Sequence, residues 1–218
     1  MEMKVFAKPK PEKRTLKYYT IPSEPKKKGT KPREFFYIGT DKKVDGIQHH
    51  NLFFDEDFEL HAQEIYKNPQ WPTKPLFYVC CTSKTDPAAA PAGGENLFFL
   101  MPIAPGLQDS EAMRGKYFEV MINRFEAITR QSIRDNVVVK RGYAMDDFKA
   151  DYHSFKGNAY GLANTLAQTA FFKPSMRAKH IGNILYTGQL TVPGPGVPPA
   201  LISGQIAAME AMKMLGAV

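Results

Sequence analysis

Cysteine is nearly absent from this chain. Only Cys80 and Cys81 occur in 218 residues, and no Cys-x-x-Cys or His-x-x-x-His spacing is present. A disulfide framework is therefore excluded, as is a metal motif of fixed spacing. Neighbouring side chains of a strand face opposite ways. The two thiols are thus read as small core residues of a reducing compartment, with no shared ligand and no metal. No apolar run reaches the roughly 18 residues that a membrane span requires. Lysines open the chain with no apolar segment behind them, so a secretory signal is not expected either. A phosphate loop of Walker type, a nucleophile triad and a Gly-x-Gly-x-x-Gly fingerprint are also missing.

Charge is unevenly spread. Residues 1–34 hold 11 Lys and Arg against 4 Asp and Glu, and the other 184 residues hold 18 of each sign. The whole net charge of +7 lies in this leader. It is also rich in proline and lacks helical periodicity, so it reads as largely irregular. Thr15–Ile21 alternates enough for one strand. The basic leader suits anionic lipid, but a charge run is more often only solvated, and a solvated tail is the preferred reading. Nucleic acid is not expected as a partner, because no aromatic and basic residues interleave in a known module.

Hydrophobic patterning then sets out the elements. Strands are expected at Glu34–Ile38, Asn51–Phe54, Pro75–Thr82, Asn96–Ile103 and Asn136–Arg141, all rich in aromatic and branched residues. A helix is expected over Asp57–Lys67, with Phe58, Ala62 and Ile65 sharing one face and His61 in solvent. Asp109–Gln131 carries Phe118, Ile122, Phe125 and Ile128 at helical spacing. A short helix follows over Met145–Tyr152. Ile181–Tyr186 reads as the last strand and Pro199–Leu215 as the last helix, with Ile202, Ile206, Met209 and Met212 as a core stripe. His49 and His50 are expected to point to opposite faces of a strand and so not to act on one atom.

The most specific stretch joins the last two elements, Thr187-Gly-Gln-Leu-Thr-Val-Pro-Gly-Pro-Gly-Val-Pro-Pro-Ala200. Glycine opens the backbone to close approach, and proline suits a first helical turn. A helix start collects free N–H groups and the positive dipole end, which favours an anion or a polar ring. This stretch resembles the C-terminal flavin motif of the carotenoid (phytoene) desaturase family. Further blocks follow that family's order: Phe36-Tyr-Ile-Gly39, His49-His-Asn-Leu-Phe-Phe54, Thr85-Asp-Pro87, Ala90-Pro-Ala-Gly93 and Asn96-Leu-Phe-Phe-Leu-Met-Pro102. The resemblance covers roughly residues 35–215.

The resemblance implies an α/β (α+β) fold. It would comprise a basic leader over 1–34, a mainly antiparallel substrate-side sheet with covering helices over 35–178, and over 179–218 the last strand and helix of a Rossmann-like FAD domain. It implies an FAD-dependent oxidoreductase acting on a long apolar polyene, cytoplasmic and in peripheral contact with a membrane. The missing fingerprint normally holds the ADP half of the cofactor, so this chain would be the C-terminal part of such an enzyme and need an N-terminal half as partner. By the same resemblance Gly188, Gln189, Thr191, Gly196, Val197, Pro198 and Ala200 would contact FAD, with Val197 and Ala200 as amide donors. Gln189 stands where many related flavoproteins carry an acid. No catalytic acid or base is nominated. The alternative is a non-catalytic lipid- or membrane-surface module built on the same fold.

Overall fold

The computed structural model describes residues 3–7, 33–160, 172–178, 180 and 182–216. The expected strand at Thr15–Ile21 lies outside them. The chain forms two compact units, one carrying Pro32–Gly157 and the other Asn158–Val218.

The first unit is a sheet with strand order β1-β3-β4-β5-β2-β6. Its strands are β1 (Met3–Ala7), β2 (Arg33–Thr40), β3 (His50–Phe54), β4 (Phe77–Cys80), β5 (Glu95–Pro102) and β6 (Val137–Tyr143). All pairings are antiparallel except β1 on β3, which is parallel. β1 lies in the leader that composition marks as irregular; its edge pairing to β3 gives that stretch a ladder that composition alone does not reveal. Pro75 lacks a ladder donor, and Thr82–Lys84 turns into a 3-10 helix, so β4 is shorter than expected.

Period-two alternation assigns the faces. On one side Phe36, Phe53, Phe77, Val79, Leu97, Phe99 and Met101 are buried. They meet α2 (Glu111–Thr129), whose buried stripe is Tyr117, Phe118, Met121, Ile122 and Phe125. Phe53 and Phe77 stack at 4.6 Å, and Phe125 sits 5.3 Å from Phe99. Each fully buried aromatic contributes on the order of 2–3 kcal/mol, so this layer holds the unit together. Ser110 caps α2 by accepting the Met113 N–H at 3.2 Å. Gly94 is required at the β5 entry: a Cβ there would meet the Thr40 carbonyl oxygen at 2.5 Å.

α1 (Phe58–Tyr66) forms where expected, with Asp57 accepting the Glu59 amide at 2.8 Å. Its buried face is corrected. His61, Glu64 and Ile65 are buried, and Phe58 is exposed. The His61 ring bridges two backbone groups, meeting the Pro102 carbonyl through Nε2 and the Leu76 N–H through Nδ1, each at 3.0 Å. Glu64 takes the Thr73 N–H at 3.0 Å and its hydroxyl at 2.7 Å. Polar side chains with such partners are stable inside, and a pattern read by hydrophobicity passes over them. α3 (Met145–Tyr152) follows β6 and buries Met145 and Phe148.

In the second unit α4 (Val197–Met214) forms. The expected strand over Ile181–Tyr186 does not; Ile181 lies outside the described residues. Leu185 makes a single bridge to Arg177, with the Tyr186 N–H on the Met176 carbonyl at 2.7 Å. An extended segment becomes a strand only where a neighbour takes its backbone groups, and here the pairing is one short hairpin. The α4 stripe is corrected too. Ile202, Met209 and Met212 are exposed at 46%, 56% and 46%, and Ser203 is the buried residue of the helix.

Candidate functional site

The corner before α4 is fastened by one hydroxyl. Ser203 is fully buried. Its Oγ accepts the Gly188 N–H at 3.0 Å and the Thr187 hydroxyl at 3.1 Å, and it lies 3.0 Å from Thr191 Oγ1. Thr191, 2% exposed, donates in turn to the Gly188 carbonyl at 3.3 Å. Every lone pair and proton of Ser203 is used if it donates to Thr191. Gly188 and Thr191 are thereby held as one rigid turn, although they are not adjacent in sequence. Ser203 carries no motif; the available signal was a small polar residue following the apolar run Ala200-Leu-Ile202.

Replacing Ser203 with alanine should take the Ser203 acceptor from the Gly188 amide and the Thr187 hydroxyl, and leave the buried Thr191 hydroxyl with the Gly188 carbonyl alone. Losses of about 1–3 kcal/mol accompany such orphaned groups. Amide hydrogen exchange at Gly188 and Thr191 should quicken roughly tenfold or more, while exchange in β5 stays unchanged. Equal protection in the variant would show that Ser203 does not hold the turn.

Gly196 stands at the N-cap with φ 113°, a region closed to side chains, and offers no capping group. Pro198 and Pro199 have no N–H. The Ala200 N–H donates to the Gly196 carbonyl at 2.9 Å as the first bond of the helix. Of the two amides expected as donors, Ala200 is therefore already engaged, and Val197 carries the remaining N–H of the first turn. The Val197 side chain is 76% exposed. The corner thus brings Gly188, Thr191, Gly196 and Val197 onto one frame with an outward apolar edge and one amide donor. Gln189 and Pro198 flank it within the same segment. This geometry can take the rim of a flat polar ring. It offers no second helix donor and no charged side chain from the corner itself.

In the first unit the sheet face opposite α2 is aromatic. Tyr37, Leu52, Phe54, Tyr78, Phe98 and Leu100 alternate with the core residues and stay partly exposed. Phe98 lies 5.1 Å from both Phe35 and Tyr37. Such a surface can receive a long apolar molecule. At the sheet's end, Glu95 is buried and binds Lys84 Nζ at 2.7 Å and the Ser83 hydroxyl. Burial alone would raise its carboxyl, but hydrogen bonds from Lys84, Ser83 and Cys81 outweigh that and hold it below the usual range. Asn96 Oδ1 takes the Thr82 hydroxyl at 2.9 Å and the Ser83 N–H at 3.1 Å. The loop over 85–94 is pinned at its roots by these contacts. Burial pushes the Cys81 thiol up to about 11, against a hydrogen bond with Ser83 that lowers it. A thiol so placed stays protonated at neutral pH and reads as inert core.

The expected separation of His49 from His50 is corrected. Their ring centroids are 4.3 Å apart. β3 begins at His50, so His49 belongs to the preceding bend and escapes strand alternation.

No family model matches the chain. Curated relatives do. A carotenoid 3,4-desaturase from Haloarcula japonica is 40% identical over 169 residues, covering 78% of this chain and 34% of that protein. The chain belongs to the carotenoid desaturase family. A 4,4'-diapophytoene desaturase (4,4'-diaponeurosporene-forming) of Staphylococcus aureus is 30% identical over 186 residues, or 81% of this chain and 37% of the relative. A 4,4'-diapolycopene oxygenase of Methylomonas sp is 26% identical over 174 residues, with 78% and 35% covered. This member of the carotenoid desaturase family spans about a third of the length of the curated relatives it matches.

Proposed function

We propose that this chain is the C-terminal part of an FAD-dependent carotenoid (phytoene) desaturase, one that removes hydrogens from a long polyene. An N-terminal half, carrying the Gly-x-Gly-x-x-Gly fingerprint, would complete it. The observation that carries this reading is the Ser203-fastened corner, which turns Val197 outward behind Gly196. Kinship with proteins named for carotenoid desaturation supports the substrate class.

The residues present fit one edge of the cofactor and not the whole of it. Gly196 permits close approach, the Val197 N–H can stabilise negative charge on a ring edge, and Gly188, Gln189, Thr191, Pro198 and Ala200 would line the remainder. Bound FAD supplies a two-electron acceptor for the hydrogens removed. Residues of the described sheet would do the rest: Tyr37, Leu52, Phe98 and Leu100 hold an apolar chain and exclude water. The exposed apolar residues of α4, Leu201, Ile202, Met209 and Met212 among them, suit burial against the N-terminal half.

A cytoplasmic location at the membrane surface agrees with a bilayer-soluble substrate. Among the described residues no helix is long and apolar enough to cross a membrane.

Co-expression with a chain bearing the fingerprint should give a yellow complex that extends the conjugation of a polyene, seen as a red shift of its absorption. The chain alone should retain little flavin. A co-purified complex that is colourless and inactive would overturn the reading.

A further inference from the structure

We propose that His49, His50 and Cys80 form a three-ligand site for a borderline divalent transition metal of the zinc type. One ring nitrogen from each imidazole and the Cys80 Sγ all lie within 4.8 Å of one another. Tetrahedral zinc, bound at about 2.0–2.1 Å by nitrogen and 2.3 Å by sulfur, needs ligand atoms roughly 3.3–3.7 Å apart. Side-chain rotation of about 1 Å supplies the difference.

The backbone beneath the three side chains is a regular ladder. His50 is the cross-strand partner of Cys80, and the His49 carbonyl accepts the Cys81 N–H at 2.8 Å. His50 therefore faces Cys80 by register, while the bend at His49 brings its ring to 4.3 Å from that of His50, and all three residues are half-buried. That environment shields a metal from bulk water and still leaves an entry path.

The shell around the ligands orients the rings. His49 Nδ1 meets the Thr85 hydroxyl, and His50 Nδ1 meets the Tyr78 hydroxyl. A ring held at Nδ1 by a hydroxyl keeps Nε2 for a metal, the arrangement by which outer partners fix the tautomer of ligating histidines. Two imidazoles with a thiolate select zinc, cobalt or copper over magnesium and calcium, which take oxygen. Binding forms one metal–sulfur and two metal–nitrogen bonds and releases the thiol proton to solvent. Three protein ligands leave a fourth position for water or for an atom of another molecule, unlike a closed four-ligand structural centre.

Cobalt(II) titration of the purified full chain tests the site. One equivalent should produce the intense near-ultraviolet thiolate-to-cobalt band with tetrahedral visible bands, and zinc should bleach both. Cys80→Ser should abolish the charge-transfer band, and Cys81→Ala should keep it. His49→Ala and His50→Ala should each weaken binding tenfold or more. Far-ultraviolet circular dichroism confirms that each variant is folded; none of these readouts depends on desaturase activity. Absence of the band in the unaltered chain overturns the proposal. So does a band that survives Cys80→Ser, or one lost in a folded Cys81→Ala variant.

Discussion

Exchanging Arg114 for methionine should cost the first unit about 3–5 kcal/mol, the usual loss when one partner of a buried ion pair is removed. Arg114 grips Asp109 with two parallel bonds, Nε to Oδ1 at 2.9 Å and Nη2 to Oδ2 at 2.7 Å. Its Nη2 also lies 2.8 Å from Asp147 Oδ2, which ties α2 to the first turn of α3. The Asp109 side chain is 1% exposed. Burial raises its affinity for a proton, but the Arg114 bonds and the Asp146 amide more than offset this and hold the carboxyl below the usual range. With Arg114 gone, Asp109 keeps the Asp146 N–H at 3.0 Å as its remaining described donor, and the desolvated charge loses its bonded counter-ion, leaving the weaker pull of the Lys149 charge. Urea unfolding followed by Trp71 fluorescence should show the loss; the ring stacks on Tyr117 of α2 at 4.9 Å and so reports on this helix. Arg114→Met with Asp109→Asn should recover more than half of the deficit, because the stranded charge is then gone. A single variant within 1 kcal/mol of the parent, or a double variant no better than the single, would show that the pair is not acting as a buried charge couple.

Elements whose cause is local were readable in the sequence. The strands followed runs of Phe, Tyr, Leu and Val, and α2 followed Phe118, Ile122 and Phe125, because the buried face of each repeats at the period of its own backbone. Four features depended on neighbours distant in the chain. His61 is buried because the Pro102 carbonyl and the Leu76 amide wait for its ring, and nothing in residues 57–67 announces either. The His49–His50 approach follows from a strand that starts at His50, which leaves His49 in the preceding bend. The α4 stripe has the spacing of a core, but the described residues do not cover it. Within the corner, the glycines and prolines marked the place; the Ser203 clasp and the engaged Ala200 amide needed the three-dimensional turn.

Glu34 gives the other large effect, and it depends on pH. It opens β2 on the α2 side and is fully buried, and among the described residues neither carboxyl oxygen has a hydrogen-bond partner. Burial, then the charge of Asp109, push its carboxyl up to about 8, against a smaller opposing pull from Arg114. The sign follows from proton counting. Between about pH 4.5 and 8 the folded chain holds a proton on Glu34 that the unfolded chain has released, so stability falls as pH rises. Across that window the loss is on the order of 4–5 kcal/mol, because one proton held over each pH interval of 1 is worth about 1.36 kcal/mol. The carboxyls of Asp109, Glu95 and Glu126, all displaced the other way, lose their contribution only as pH drops through the acid range. They therefore do not mask this slope near neutrality. Glu34→Met keeps the volume and removes the acid. The difference in unfolding free energy between variant and parent should grow in favour of methionine from about pH 5 to about pH 8, and the variant should be the more stable at the upper end by several kcal/mol. Taking the difference at each pH cancels groups common to both chains. A difference that stays constant across that range would mean that Glu34 is ionised in the folded state, with the pull of Arg114 outweighing burial and the charge of Asp109.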